Sequence, residues 1–212
     1  MNFLKTKKLD CFSKSVKQFI IIPTTLQKIR KFIENWHYSK NVNGLRVSYC
    51  FAMYCDGELI GAMIFGKLGM ANAWKKYGQT EDEVIELRRL CCIDDTPKNT
   101  ESYFIGWCLR WLKKHTDIKT IVSYADAHYN HNGTIYKATN FEYHGLTAEG
   151  RIINHNGKLF HDKAIRTYKV DKNGKKGELK QFAKNLINAL EIGEAFYVET
   201  PGKHIYTYKL KD

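Results

Sequence analysis

Only three prolines in 212 residues, no run of 18 apolar residues, no Cys-x-x-Cys pair and no internal repeat mark this sequence, and each absence removes a class of protein. Scarce proline beside 43% hydrophobic and 13% aromatic residues excludes a low-complexity or disordered chain and points to a packed core. Without a long apolar run, no helix of the chain would cross a bilayer. The first residues, MNFLKTKKLDCFSKSVKQF, are basic, yet lack the apolar segment and small-residue cleavage site of a secretory signal. A cytosolic protein without membrane partners is expected. The six cysteines, Cys11, Cys50, Cys55, Cys91, Cys92 and Cys108, lie mostly in apolar stretches and lack zinc-ligand spacing, so reduced, structural thiols are expected.

Negative charge is also scarce. Acidic residues number 22 against 34 Lys and Arg, a formal net charge of +12. Basic residues thicken at both ends, at Lys5, Lys7, Lys8, Lys14 and Lys17 and again at Lys172, Lys175, Lys176, Lys180 and Lys184, with Lys28, Arg30 and Lys31 between. Such a surface suits phosphate backbones through counterion release. It is also what a lysine-rich, solvated surface looks like, and charge alone does not separate the two.

The pattern along the chain alternates strands and helices. Residues 25–36 form an amphipathic helix with Leu26, Ile29, Ile33 and Trp36 on one face, ending before His37, Tyr38 and Ser39. Residues 47–54 and 58–65 read as strands joined at Asp56-Gly57, a strong hairpin signal. VIELRRLCCI, residues 84–93, reads as a further strand. Pro97 and the Asn99-Thr100-Glu101-Ser102 run then open a core helix to about His115, whose apolar face includes Phe104, Trp107, Cys108 and Trp111. A short buried strand over 120–124 and a short helix over 132–139 follow. A hairpin turns at Asn156-Gly157, residues 165–170 extend it, a helix covers 178–190, and residues 204–210 alternate like an edge strand. Domain boundaries are expected near residue 24, after a basic amino-terminal extension (1–24), and near 171–177. The main domain would then be 25–170, with 171–212 as a helix and strand packing on it.

Chemistry concentrates in SYADAHYNHNGTIYKATNFEYHG, residues 123–145. Within seven residues the chain offers Asp126, His128, Tyr129, Asn130, His131 and Asn132 as hydrogen-bonding, proton-transfer or metal-binding groups. Taken singly, Asp126 reads as a turn or capping residue, Tyr136 as a buried aromatic and His37 as a helix-end imidazole. Together they point to a site.

The order of elements resembles the GNAT acyltransferase fold. More narrowly, His37-Tyr38-Ser39, Glu86-Leu87-Arg88-Arg89-Leu90 and Ser123-Tyr124-Ala125-Asp126 with Tyr136 resemble the phage Mom family of DNA-modifying proteins, over roughly residues 25–168. The resemblance implies an α+β fold, a mixed and mostly antiparallel central sheet flanked by helices, with a carboxy-terminal helix and edge strand. It implies a transferase that places a carbamoylmethyl group on the N6 amino group of adenine in DNA, shielding phage DNA from restriction in the host cytoplasm, with acetyl-CoA and iron implicated. Carried onto this sequence, His37, Tyr38, Asp126 and Tyr136 would form the iron-binding and catalytic cluster, with Arg89 and Ser123 supporting it.

Four consequences follow from the residue types and the resemblance. One histidine and one carboxylate fall short of a two-His facial triad unless His128 or His131 joins. A CoA thioester needs an anion cradle between the central strand and the next helix. There Asp94–Ser102 has no glycine and two acids, leaving the amides of Lys98, Asn99, Thr100, Glu101 and Ser102, helped by Lys98 or Arg88, as the expected contacts. Because consecutive strand residues face opposite ways, only one of Arg88 and Arg89 would enter the cleft, and Arg89 is the expected one. Double-stranded DNA as substrate requires base flipping, with Tyr38, Tyr124, Tyr129 or His128 available for stacking and Asp126 to accept a proton. Two other readings remain: a GNAT-type N-acetyltransferase acting on a protein or small amine, and a non-catalytic nucleic-acid-binding protein on the same fold.

Overall fold

The computed structural model describes residues 11–211, so Lys5, Lys7 and Lys8 of the basic amino terminus lie outside the described residues. In order along the chain come β1 (Ile20–Thr24), α1 (Leu26–Trp36), β2 (Val47–Cys55), β3 (Glu58–Gly66), β4 (Val84–Cys92), α2 (Thr100–His115), β5 (Thr120–Ala125) and α3 (Thr134–Lys137). They are followed by β6 (Glu142–Leu146), β7 (Gly150–His155), β8 (Lys158–His161), β9 (Tyr168–Val170), β10 (Lys176–Leu179), α4 (Gln181–Glu191), β11 (Ala195–Thr200) and β12 (His204–Lys209). The elements divide into two compact units. The first holds residues 11–125, Asn132–Gly145 and 205–211, and the second holds Asp126–His131 and Leu146–His204.

The first unit is built on a seven-stranded sheet in the order β1-β2-β3-β4-β5-β12-β6. Its β1–β4 neighbours pair antiparallel, while β4 and β5 run parallel. The β2–β3 hairpin closes through Asp56 (φ 51°) and Gly57 (φ 86°), the two positive φ values a tight turn between twisted strands demands. Strand alternation sends Cys50 and Ala52 to one face and Phe51 and Met53 to the other. Against the first face α1 lays Ile29 and Ile33, which its helical period brings together. Against the second α2 lays Phe104, Ile105, Cys108 and Leu112, joined by Trp107 and Trp111, whose rings meet Phe51 edge-on at 6.0 and 5.2 Å. With both faces covered, the central strands are almost continuously apolar. All six cysteines are free thiols, five of them buried.

The second unit packs α4 on the three-stranded sheet β11-β7-β8, around Ile153, Leu186, Ala189 and Ala195. A two-stranded ladder, β9 with β10, completes it.

Several expectations change. Residues 20–24, assigned to a basic extension, form β1 and pair with β2 over Ile20↔Tyr54 to Thr24↔Cys50. The final strand is not at an edge: β12 lies between β5 and β6. Alternation reports which face a side chain takes but carries no information on how many strands lie beside it. The short helix shrinks to a single turn between Gly133 (φ 73°) and Asn140 (φ 62°). Residues 162–166 form a 3-10 turn rather than strand, and Tyr168–Val170 pairs with β10 instead of extending the β7–β8 hairpin. The chain also divides elsewhere than near 24 and 171–177, because 205–211 return to the first unit while 146–170 leave it.

Candidate functional site

Strand β4 carries Glu86, Arg88 and Arg89 in an otherwise apolar sequence. Its parallel ladder with β5 runs from Val84↔Thr120 to Leu87↔Ser123 and stops there, although β4 continues to Cys92. On the other side Phe65 pairs with Leu87 and Ile64 with Arg89, so Arg88 is the extra residue of a β-bulge. Beyond Leu87 the β5-facing edge of β4 lies outside that ladder.

The expectation that only one of Arg88 and Arg89 enters a cleft assumes strict alternation, which the bulge interrupts at this point. Arg88 Nη1 donates to Glu86 Oε2 at 2.7 Å, and the two side chains are 16% and 13% exposed. The Gly69 amide donates to the same carboxylate oxygen at 3.3 Å. Arg89 turns back on the backbone, with Nη1 donating to the Arg88 carbonyl at 2.7 Å and Nε to the Asn41 carbonyl at 3.1 Å. Burial pushes the Glu86 carboxyl above the ordinary glutamate range, and the Arg88 guanidinium offsets part of that rise.

Across the last rung of the ladder, Ser123 is fully buried. Its Oγ has no hydrogen-bond partner, and neither does the buried Arg88 Nε. Tyr136, on α3, is buried against Phe141 and Tyr206 at ring separations of 5.4 and 5.2 Å. Burial raises its phenol pKa, while the nearby Ser123 hydroxyl pulls the other way without reaching hydrogen-bonding geometry. Glu86, close enough to raise it further, ties the groups into one electrostatic cluster. Tyr124, beside Tyr77, is likewise held protonated by burial. Glu86 was missed in the sequence, although a lone carboxylate inside VIELRRL was the available signal.

His37 is buried and Tyr38 is 43% exposed, with ring centroids 4.3 Å apart. The Ser39 amide donates to His37 Nδ1 at 3.1 Å, and the Ser39 hydroxyl lies 2.9 Å from the same nitrogen. The amide contact makes Nδ1 the acceptor nitrogen and leaves Nε2 to carry the proton in the neutral ring. Tyr38 acts electrostatically on Arg89, which links the His37-Tyr38 pair to β4.

Asp126 belongs to the second unit. There its Oδ1 accepts from the His128 amide at 3.2 Å, and its Oδ2 meets Lys203 Nζ at 2.6 Å. Next to it the His128 and Tyr129 rings stand edge to face at 5.1 Å. Among the described residues, no group of three or more His, Cys, Asp or Glu side chains is placed to hold a metal ion. The four residues assigned to iron do not make a fitting donor set. Nδ1 of His37 is occupied, Tyr136 is held as a phenol, and the Asp126 carboxylate is engaged by a lysine.

At the start of α2, Asn99 takes φ 70°, the left-handed conformation that a glycine would otherwise supply. Its side chain does not cap the helix; Thr100 Oγ1 and Ser102 Oγ donate to the Pro97 and Asn99 carbonyls at 2.6 and 3.0 Å. Further along α2 a groove of about 280 Å³ opens, walled by Ser102, Arg110 and Lys113 and, opposite, by Thr139, Asn140 and Tyr208. Of the five residues expected to cradle an anion, Lys98 to Ser102, only Ser102 lines this groove. Its two cations, Arg110 and Lys113, come from about two and three turns further on, where the helical period places them on the same face.

The Mom protein family model matches residues 18–211. The chain belongs to the Mom protein family. A curated relative, the methylcarbamoylase mom of Escherichia phage Mu, is 26% identical over 153 residues, covering 70% of this chain and 61% of that protein's length. Among solved structures, Arabidopsis thaliana NAA60 in complex with acetyl-CoA aligns with a TM-score of 0.50 at 12% identity, over 90% of this Mom-family chain and 98% of NAA60. A Bacillus subtilis acetyltransferase in complex with CoA aligns with a TM-score of 0.49 at 13% identity, over 92% and 99% of the two chains. The likeness to NAA60 shows the fold of this Mom-family chain to be GNAT-like.

Proposed function

We propose that this Mom-family chain is a transferase that modifies the N6 amino group of adenine in DNA, adding a carbamoylmethyl-type group. Beyond the family match, the observation that carries this reading is the pair of orphaned buried polar atoms, Arg88 Nε and Ser123 Oγ, in the cluster of Glu86 and Tyr136. A buried unpaired polar group costs about 1–3 kcal/mol, a cost that a ligand's own donors and acceptors would remove. Adenine presents acceptor ring nitrogens beside its donor amine. The Arg88 Nε–H suits a ring nitrogen, Ser123 can donate or accept, and the Glu86 carboxylate suits the amine hydrogen. Because the exocyclic amine is a weak nucleophile, a base must take its proton, and Glu86 is the carboxylate in the cluster to do so. Arg88 then keeps Glu86 oriented, and Tyr136 can donate a hydrogen bond to developing negative charge.

A base in duplex DNA reaches such a cluster only when flipped, and the half-exposed Tyr38 ring is available to stack on it. Asp126, anchored by Lys203, is assigned to positioning the His128-Tyr129 turn rather than to taking the amine proton. The groove on α2 fits the phosphates of a CoA thioester, with Arg110 and Lys113 as counter-charges. When bound, the thioester would supply an activated two-carbon acyl group; its direct transfer gives an N6-acetyl amide and free CoA thiol, so a carbamoylmethyl product also requires an amide-nitrogen donor as co-substrate and bonding through the methyl carbon. Replacing Arg110 and Lys113 together with alanine should raise the KM for the thioester about tenfold, as expected for lost charge-assisted contacts, with kcat nearly unchanged. An unchanged KM in steady-state assays would remove the groove from the assignment.

Mass spectrometry of nucleosides from DNA of cells expressing the chain is the direct test. A new adenine adduct that is absent with an inactive variant is expected. No adduct together with acetyl-CoA turnover on amines would select the ordinary N-acetyltransferase, and salt-sensitive DNA binding without either would select a non-catalytic binder.

A further inference from the structure

We infer that the β9–β10 hairpin of the second unit is a duplex-DNA contact, inserting as a two-stranded basic ribbon; this rests on the reading of the target as DNA. Residues 169–178 are exposed without interruption. From Lys169 to Lys180 the chain carries five lysines, Lys169, Lys172, Lys175, Lys176 and Lys180, against two carboxylates, Asp171 and Glu178. Both acids are diverted. Asp171 Oδ1 accepts from the Asn173 and Lys175 amides, each at 2.9 Å, and so builds the turn, while Glu178 meets Lys184 at 3.3 Å. None of the five lysines is paired with a carboxylate among the described residues. The hairpin is held at its base by the Lys180 amide donating to the Thr167 carbonyl at 2.8 Å and at its tip by the Gly174 amide donating to the Asp171 carbonyl at 3.1 Å.

The charge is distributed over both sides of the ribbon. Lys176 pairs with Val170 and lies over the Tyr168 ring at 5.6 Å, so these three share one side, and alternation puts Lys169 on the other. Lys172 and Lys175 sit in the turn. A membrane surface would favour cations and apolar side chains on one side only. Cations on both sides and at the tip instead suit a groove walled by two phosphate backbones, and a major groove about 12 Å wide admits a two-stranded ribbon.

The full chain with Lys169→Gln, Lys172→Gln, Lys175→Gln and Lys176→Gln tests this by duplex-DNA titration at several salt concentrations. At about 0.9 per phosphate contact, the slope of log K against log salt should fall by roughly 3–4. A matched variant, Lys28→Gln, Lys31→Gln, Lys76→Gln and Lys114→Gln, should change the slope much less, and the four Lys→Arg replacements in the hairpin should preserve it. Equal changes in the two glutamine variants would overturn the assignment by reducing it to net charge. So would an unchanged slope, or loss of binding to phosphatidylserine vesicles with duplex binding intact. If the slope changes as expected but no adenine adduct forms in cells, the hairpin assignment stands and the reaction assignment fails. If the wild-type chain does not bind duplex DNA, both fail.

Discussion

Glu86→Gln should lower the modification rate by about 10²–10⁴-fold, the usual contribution of a positioned general base, while leaving the fold and duplex affinity close to wild type. Glutamine keeps the size and can still pair with Arg88 Nη1, so the change removes chiefly the ability to take a proton. The pH profile provides the sharper readout. Burial raises the Glu86 carboxyl above its ordinary value of 4.5, with Arg88 opposing. The active form is the ionised one, so wild-type activity should fall as pH drops through that raised value, earlier than for an exposed glutamate. The substituted enzyme should lose that acid limb and keep a low, flat rate. A variant that retains its acid limb, or that loses less than threefold in rate, would exclude Glu86 as the base and return attention to Asp126.

Gly133→Ala should be a strongly destabilising single-methyl addition near the site. A Cβ at Gly133 would stand 2.2 and 2.5 Å from Tyr206 ring carbons and 2.7 Å from its hydroxyl, at φ +73°. Tyr206 is fully buried and its hydroxyl donates to the Asn132 carbonyl at 2.6 Å, so it has no direction in which to yield. The left-handed backbone costs about 1–2 kcal/mol for a residue with a Cβ and overpacking about 1–3 more. At about 2–4 °C per kcal/mol for a chain of this size, the melting temperature should fall by roughly 10 °C. Because Gly133 opens the turn that carries Tyr136, activity should fall with it. Gly145→Ala is the control: φ is +82°, yet nothing lies within 4 Å of its Cβ, so only the backbone cost applies. Calorimetry giving equal losses for the two variants would show that the Tyr206 contact carries no energy.

Both predictions concern residues that the sequence offered unequally. Ser123, Tyr136, His37 and Tyr38 were legible as a group because a crowded polar turn after a strand, and a histidine at a helix end, are local signals. Glu86 and Arg88 were not. Strand alternation already sets Glu86 and Arg88, two residues apart, on one side, but neither their shared burial nor the bulge opposite the Ile64–Phe65 step is written in β4 alone. A bulge is a mismatch between two strands, so one strand's sequence does not announce it. The Arg110–Lys113 face of α2 was hidden for a related reason: it becomes a groove only because residues 139–140 and β12 form its opposite wall.

What the sequence by itself determined is the identity and approximate span of the main elements, the Asp56-Gly57 and Asn156-Gly157 turns, and the burial of the thiols. Those depend on helical and strand periods and on turn residues, which act over a few positions. The tertiary structure decided the rest. It set β12 inside the sheet, returned residues 205–211 to the first unit, moved Asp126 into the second with Lys203 as its partner, and ended the β4–β5 ladder beside two unsatisfied buried groups. Each of these is a pairing between residues far apart in sequence, fixed by which surfaces bury one another, and no local pattern encodes it.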